Sequence, residues 1–330
     1  MEKYGHWLKA RMRFVAPFLT LTILVVFFSF ASEGGRFFTG INLLNILQQA
    51  AALAIMATGV TYVLLTAEID LSIASMATMA GVFASYLLVR GTPGLLAVLI
   101  ALGAAIVLGL ISGSITTYFG LPSFMTTLGM MQVADGLAIY LTKGRPFFDV
   151  PEITLTLGGG YLGPVPWIII IAAVVLLIGH LVLAYTRFGR YIYMVGGNSE
   201  AAELSGVNTK LIRTLALAIG GGTAGLAGLI NTGRIGSAHA GGFEGMLLDA
   251  IAAVVLGGTS LFGGEGGIPN TIIGLLIFGV LKNGLNLIDL DIYLKTFVTG
   301  AVLLIALIIN VYSLKLGESA EYSEEESAAA

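Results

Sequence analysis

The sequence predicts an all-α, polytopic membrane protein of about ten transmembrane helices, and three observations carry that expectation. Hydrophobic residues make up 57% of the chain and charged residues only 11%, with a mean hydropathy of +0.94. Soluble domains carry about 25% charged residues, so this much apolar surface needs lipid as its solvent. Apolar segments of membrane-spanning length recur to the C-terminus. Lys and Arg cluster at two places separated by an even number of those segments.

In chain order the segments lie near 14–31, 43–66, 71–89, 95–118, 123–142, 166–186, 212–231, 248–262, 268–287 and 292–311, bounded by short Gly, Pro or charged breaks. Each approaches the roughly 20 apolar residues a helix needs to cross. The first, Phe14 to Ala31, exceeds the about 7–15 residues of a signal-peptide core and is read as an uncleaved span. The eighth, "DAIAAVVLGGTSLFGGEGG", turns glycine-rich too early for a full span and fits a short or re-entrant helix. Residues 1–311 are expected to form a single transmembrane domain, followed by an acidic, solvated and disordered tail over 312–330.

Orientation follows from the cations. Lys3, Lys9, Arg11 and Arg13 precede the first segment, which places the N-terminus in the cytoplasm. Arg187, Arg190, Lys210 and Arg213 follow the sixth, so loop 187–211 and the C-terminus are cytoplasmic and loop 143–165 is outside. Glu68-Ile69-Asp70 and Asp249 each precede a small-residue helix, on opposite sides by this count, as an inverted repeat would have them.

Several chemistries are excluded. A net charge of −3 without a basic patch argues against nucleic acid, and the absence of cysteine rules out disulfides and thiolate chemistry. His6, His180 and His239 are scattered, so no metal site is expected. Gly220 to Gly225 formally match GxGxxG, but inside an apolar segment rather than a βαβ unit. Gly221, Gly225 and Gly228, like Gly109 and Gly113, read instead as small faces for helix packing. No GxxxxGK[ST] occurs, so ATP has no P-loop here and energy must come from another polypeptide or an ion gradient.

The stretch "GGNSEAAELSGVN" (196–208) is unusually polar for its surroundings. Asn198 or Ser199 can cap a helix with Glu200 in its first turn, Glu203 on the same face and Gly206 as its stop. About two turns of helix have little stability alone. Ala201, Ala202 and Leu204 would give it a small apolar face for a groove in a partner; a plain surface connector, with Ser205 in its last turn, is the other reading.

Polar groups inside apolar segments are the remaining candidates. Glu68 and Asp70 are either a gate or proton site, or headgroup-level carboxylates with Asp70 capping the next helix; the capping reading is preferred for Asp70 and both stay open for Glu68. Asp135 is the better candidate for a buried carboxylate, bonded to Gln132 nearby on its helix. Asn45, Gln48 and Gln49, with Asn283 and Asn286, either line a path for a hydroxylated solute or join helices.

"FGRYIYMVGGNSEAAELSGVN", "RIGSA" (234–238), "LDAIAAVVLGGTSLFGGEGG" (248–267) and "VLKNGLNLI" resemble the permease subunits of the ribose, xylose and galactoside class of ABC importers. So do "EIDLSIAS" (68–75), "GLPSFMTTLGMM" (120–131) and "LTKGRP" (141–146), in order and over nearly the whole chain. The pattern departs at Glu68 and Glu265, where a small or neutral residue is usual, which bears on substrate class more than on mechanism. The resemblance implies a type II-like fold in the inner membrane and a paired permease copy or paralogue. It also implies an ATP-binding subunit that carries ATP and Mg and docks on helix 198–206, and an extracytoplasmic solute-binding protein. This chain itself would hold no cofactor and catalyse nothing. Two rivals compete: an ion-coupled transporter cycling a proton on Glu68 or Asp135, and a membrane enzyme, for which no nucleophile or metal set is present.

Overall fold

Proline sets where several helices begin, because it lacks the N–H that a first turn leaves unbonded. In the computed structural model, which describes residues 2–291, 293–302, 304, 305 and 308, Pro93, Pro122, Pro151 and Pro166 each stand immediately before a helix. The helices are α1 (Glu2–Ala31), followed by a 3-10 turn (Glu33–Phe38), then α2 (Gly40–Leu65), α3 (Ile73–Val89), α4 (Gly94–Tyr118) and α5 (Ser123–Thr142). A short α6 (Glu152–Gly159) precedes a minimal ribbon, β1 (Tyr161–Leu162) against β2 (Val165–Pro166). Then come α7 (Trp167–Tyr185), α8 (Arg187–Gly197), α9 (Ser199–Leu204), α10 (Thr209–Ile235), α11 (Met246–Leu256) and α12 (Ile268–Leu287). Residues 293–302 are helical as well.

Six helices among the described residues are long and apolar enough to cross a membrane: α2, α4, α5, α7, α10 and α12. The protein is thus a polytopic helical membrane protein. Two expectations change, and the short eighth helix is as expected. The seventh segment begins at Thr209 and runs to Ile235, so Arg213 lies in a helix rather than a loop. The eighth stops at Leu256; its 11 residues rise about 16 Å, roughly half the hydrocarbon core. Asp249 sits inside the first turn of α11, whereas Asp70 sits in an irregular segment ahead of α3, so the two acidic motifs differ locally. Much of the predicted segment 292–311 and the whole tail 312–330 lie outside the described residues.

The chain divides into two compact units interleaved in sequence. In the larger (48–251 and 259–269) α10 packs on α3, α4 and α6 through small residues. A β-carbon at Gly228 would collide with the backbone of Ala77, and one at Gly221 with that of Ala105. On α4, Gly109 faces Leu217 and Gly113 faces Thr214. Backbones approach this closely only without side chains between them, which lipid-solvated helices exploit for van der Waals contact. The smaller unit (the described residues of 2–47, 252–258 and from 270 onward) gathers Phe28, Phe37, Ile46, Val280, Leu281 and Leu285 into one cluster. Phe28 stacks on Phe37 at 6.4 Å, and Gly284 leaves room for the Phe28 ring.

Candidate functional site

The polar stretch after α7 forms two helices with a break between them. Thr186 starts α8, its hydroxyl accepting the Gly189 N–H at 3.1 Å. Helix α8 is amphipathic, burying Ile192 and Val195 and exposing Arg187, Arg190 and Met194. The chain is extended at Asn198, whose Oδ1 accepts the Ala201 N–H at 2.9 Å, so Asn198 rather than Ser199 caps α9. At the other end the Gly206 N–H reaches Glu203 O at 2.9 Å and the Val207 N–H reaches Ala202 O at 3.0 Å, with Gly206 at φ 81°. That is the Schellman stop, and the paired Val207 and Ala202 side chains are buried in one cluster.

The face of α9 differs from the expected one. Ala202 is buried against its own protein, among Tyr62, Leu65, Leu183 and Ile192, so it cannot line a partner's groove. Ser199, Glu200, Ala201, Glu203, Ser205 and Gly206 are exposed, and Leu204 is 91% exposed. The free face is therefore a leucine and a small alanine edged by two carboxylates. Ser205 is turned back, its hydroxyl donating to Ala201 O at 2.8 Å.

This two-helix arm is clamped at its base. Gly196 lies directly against Leu65 O, and the Gly264 N–H donates to the same carbonyl at 3.0 Å. Gly263, at φ 89°, packs on Ala67, which itself adopts φ 60°. The Tyr193 hydroxyl donates to Gly266 O at 3.0 Å, and burial pushes its ionisation above the usual tyrosine range. The end of α2, the end of α8 and the glycine-rich loop before α12 thus meet backbone to backbone.

Segment 66–72 completes the region. Glu68 is buried and forms an ion pair with Arg213, which is one-third exposed. Asp70 is also buried; its Oδ1 accepts the Ser72 N–H at 2.8 Å and the Ser72 hydroxyl at 2.5 Å. Ser72, not Asp70, holds the cap position of α3, so the expected cap is instead a turn local to residues 70–72. Burial pushes the Asp70 carboxyl up, and the two Ser72 bonds oppose the shift. The start of α5 holds the segment from the side: the Ile69 N–H donates to Ser123 Oγ at 3.0 Å and the Leu71 N–H to Thr127 Oγ1 at 3.1 Å.

The amide candidates separate. Asn283 is buried and donates to Asn42 Oδ1 at 2.9 Å, while Asn42 donates to Phe37 O at 2.9 Å. This pair joins helices. Asn286, Asn45 and Gln49 are exposed and Gln48 is half-buried. Asp135 is half-buried while Gln132 is exposed, and no hydrogen bond is found between them, against expectation. It belongs to the incompletely covered face of α5, with Leu128, Val133 and Tyr140. A cavity of about 530 Å³ between α2, α4, α7, α8 and α10, lined by Tyr62, Leu102, Ile106, Phe188 and Gly222, is almost wholly apolar, and its Thr58, Tyr62 and Thr223 hydroxyls already donate to backbone carbonyls, which suits a polar solute poorly. No metal-binding cluster occurs among the described residues.

Sequence reading missed Arg213 as a partner, because a cation near a span end reads as a topology signal. It missed Asn42, although Asn42 precedes Asn45 by one helical turn. Ser123 and Thr127 share a face of α5 and bond a segment distant in sequence, which no local pattern reveals.

Residues 42–307 match the family model described as branched-chain amino acid transport system / permease component. The ribose import permease protein RbsC of Haemophilus influenzae is 38% identical over 299 residues, covering 89% of this chain and 92% of its own. That of Escherichia coli strain K12 is 39% identical over 309 residues, covering 92% and 96%. That of Bacillus subtilis strain 168 is 38% identical over 303 residues, covering 91% and 93%.

Proposed function

The chain belongs to the permease-component family of branched-chain amino acid and related transport systems, and from that premise we propose that it is the membrane-spanning subunit of an ATP-driven ABC importer for ribose or a similar sugar. The relatives named above are ribose import permeases over almost their full length. The family placement favours this reading over the ion-coupled alternative. So does the buried Glu68, whose carboxylate is already engaged by the guanidinium of Arg213 instead of standing unpartnered. Asp135, half-buried, is poorly placed for a proton site in mid-membrane.

The observation that carries the proposal is α9. It is capped at both ends and held at its base, yet leaves Leu204 and Ala201 exposed among the described residues. An exposed leucine edged by Glu200 and Glu203 suits a cleft in an ATP-binding subunit, which would supply the nucleotide and Mg. The remaining parts of the reading are about ten spans in an inverted arrangement over one domain ending near 311, cytoplasmic termini, and placement in the inner membrane. A second permease copy would cover the open face of α5, and a binding protein would deliver the sugar from outside to a path that Asn45, Gln48, Gln49 and Asn286 border.

Cross-linking tests it. A cysteine replacing Leu204 should cross-link to the ATP-binding subunit in the assembled transporter, and one replacing the buried Ala202 should not. Failure at Leu204 in an assembled, ATP-hydrolysing complex would remove α9 from the contact.

A further inference from the structure

We propose that the Glu68–Arg213 ion pair is the link through which movement of α9 reaches α5, by way of segment 66–72. The inference rests on the importer reading above. It begins with geometry: α9 ends in the Schellman stop at Gly206, and Asn208 immediately caps α10 by accepting the Leu211 N–H at 3.0 Å. The chain therefore passes from α9 into α10 with little slack, and Arg213 lies in the opening turns of α10. A displacement of α9 carries Arg213 with it.

Arg213 grips a segment that is not helical. Residues 68–72 run between α2 and α3 without regular structure, yet Glu68, Asp70 and Ser72 are buried. Their backbone is held by the hydroxyls of Ser123 and Thr127 at the start of α5; Thr127 also donates to Ile69 O at 3.2 Å. Two side chains on one helix end thus replace the bonds a helix would supply internally. Pulling Glu68 shifts Ile69 and Leu71, and with them the N-terminal turn of α5. That helix bears the open face with Asp135 and Gln132, so its tilt alters the surface that a second copy would meet.

An ion pair with a buried carboxylate is a suitable link because its strength depends on both charges being present. Burial of Glu68 removes water as a substitute partner, so loss of either charge releases the segment rather than merely loosening it. Asp70, beside Gly220 of α10, provides a second packing contact between the same segment and the same helix.

The test uses the complete transporter in proteoliposomes, with the ATP-binding subunit and the sugar-loaded binding protein. Glu68→Gln, Arg213→Gln and Thr127→Val should each assemble and hydrolyse ATP, but consume on the order of fivefold or more ATP per sugar moved, the lower end of ordinary coupling between sites. Arg213→Lys, which keeps the charge, should stay near the wild-type ratio. An unchanged ratio in assembled Gln variants overturns the link. Loss of assembly in both Gln variants, with the same loss in Arg213→Lys, also overturns it, because the pair is then only structural support. A wild-type complex without ATP-driven uptake would instead refute the importer reading, so the two failures are separable.

Discussion

Gly206 and Asp70 show what single residues contribute to this region. A β-carbon at Gly206 would meet nothing within 4 Å, so its requirement is the left-handed backbone at φ 81° and not space. Gly206→Val should therefore cost about 1–2 kcal/mol and lower the melting temperature, whereas Gly206→Asn, a residue that visits that conformation, should cost much less. Equal losses would mean that side-chain contact matters there. Asp70 has a carboxyl raised from its ordinary 3.8, because burial penalises the charge more than Ser72 compensates. A raised folded-state value favours the folded protein while the group is protonated, and that contribution is lost as pH rises from 3.8 through the raised value. Asp70→Asn should remove this decline and raise the melting temperature at neutral pH, read from thermal unfolding across pH in detergent. The Asn42–Asn283 pair gives a third residue-level test. Replacing one partner by Leu should cost about 1–3 kcal/mol by stranding the other amide, and replacing both should recover part of the loss.

Helix α9 is the element where local signals and packing part company. Its ends were legible in the sequence: asparagine before an acidic first turn and glycine after the last one are written in the chain, and both act as expected. Which alanine faces inward was not legible, because Ala201 and Ala202 differ only in which meets Leu65 and Ile192, and those neighbours come from distant segments. The long spans were legible for the opposite reason. Apolar runs bounded by proline or glycine need no partner to be recognised, and the predicted 123–142 and 268–287 coincide with α5 and α12. The glycine-rich run after Leu256 ends α11 early, as its composition indicates, but that its residues build a loop against α2 and α8 depends on segments distant in sequence. The face assignment has a consequence. Ala202→Trp should overpack the protein's own core, costing about 1–3 kcal/mol and lowering the melting temperature. Leu204→Ser should leave the melting temperature unchanged and reduce co-purification of the ATP-binding subunit. The reverse pattern would put the partner on the Ala202 face.

At the scale of the whole molecule, six long apolar helices among the described residues, a clamped polar arm and similarity to an import permease over 92% of the chain support one account. The arm and segment 66–72 lie on the side that the Lys and Arg distribution assigns to the cytoplasm, and α6 lies on the other. The chain contains no cysteine, so single cysteines replacing Glu203 and Glu152 can be labelled selectively in intact cells. The Glu152 position should react with an impermeant reagent and the Glu203 position should not; the opposite result inverts the topology. The central claim concerns the energy source. Proteoliposomes containing this chain, its ATP-binding subunit and the loaded binding protein should accumulate sugar only with ATP, and an uncoupler should not change the rate. Accumulation by this chain alone, driven by a proton gradient and abolished by the uncoupler, would contradict the account.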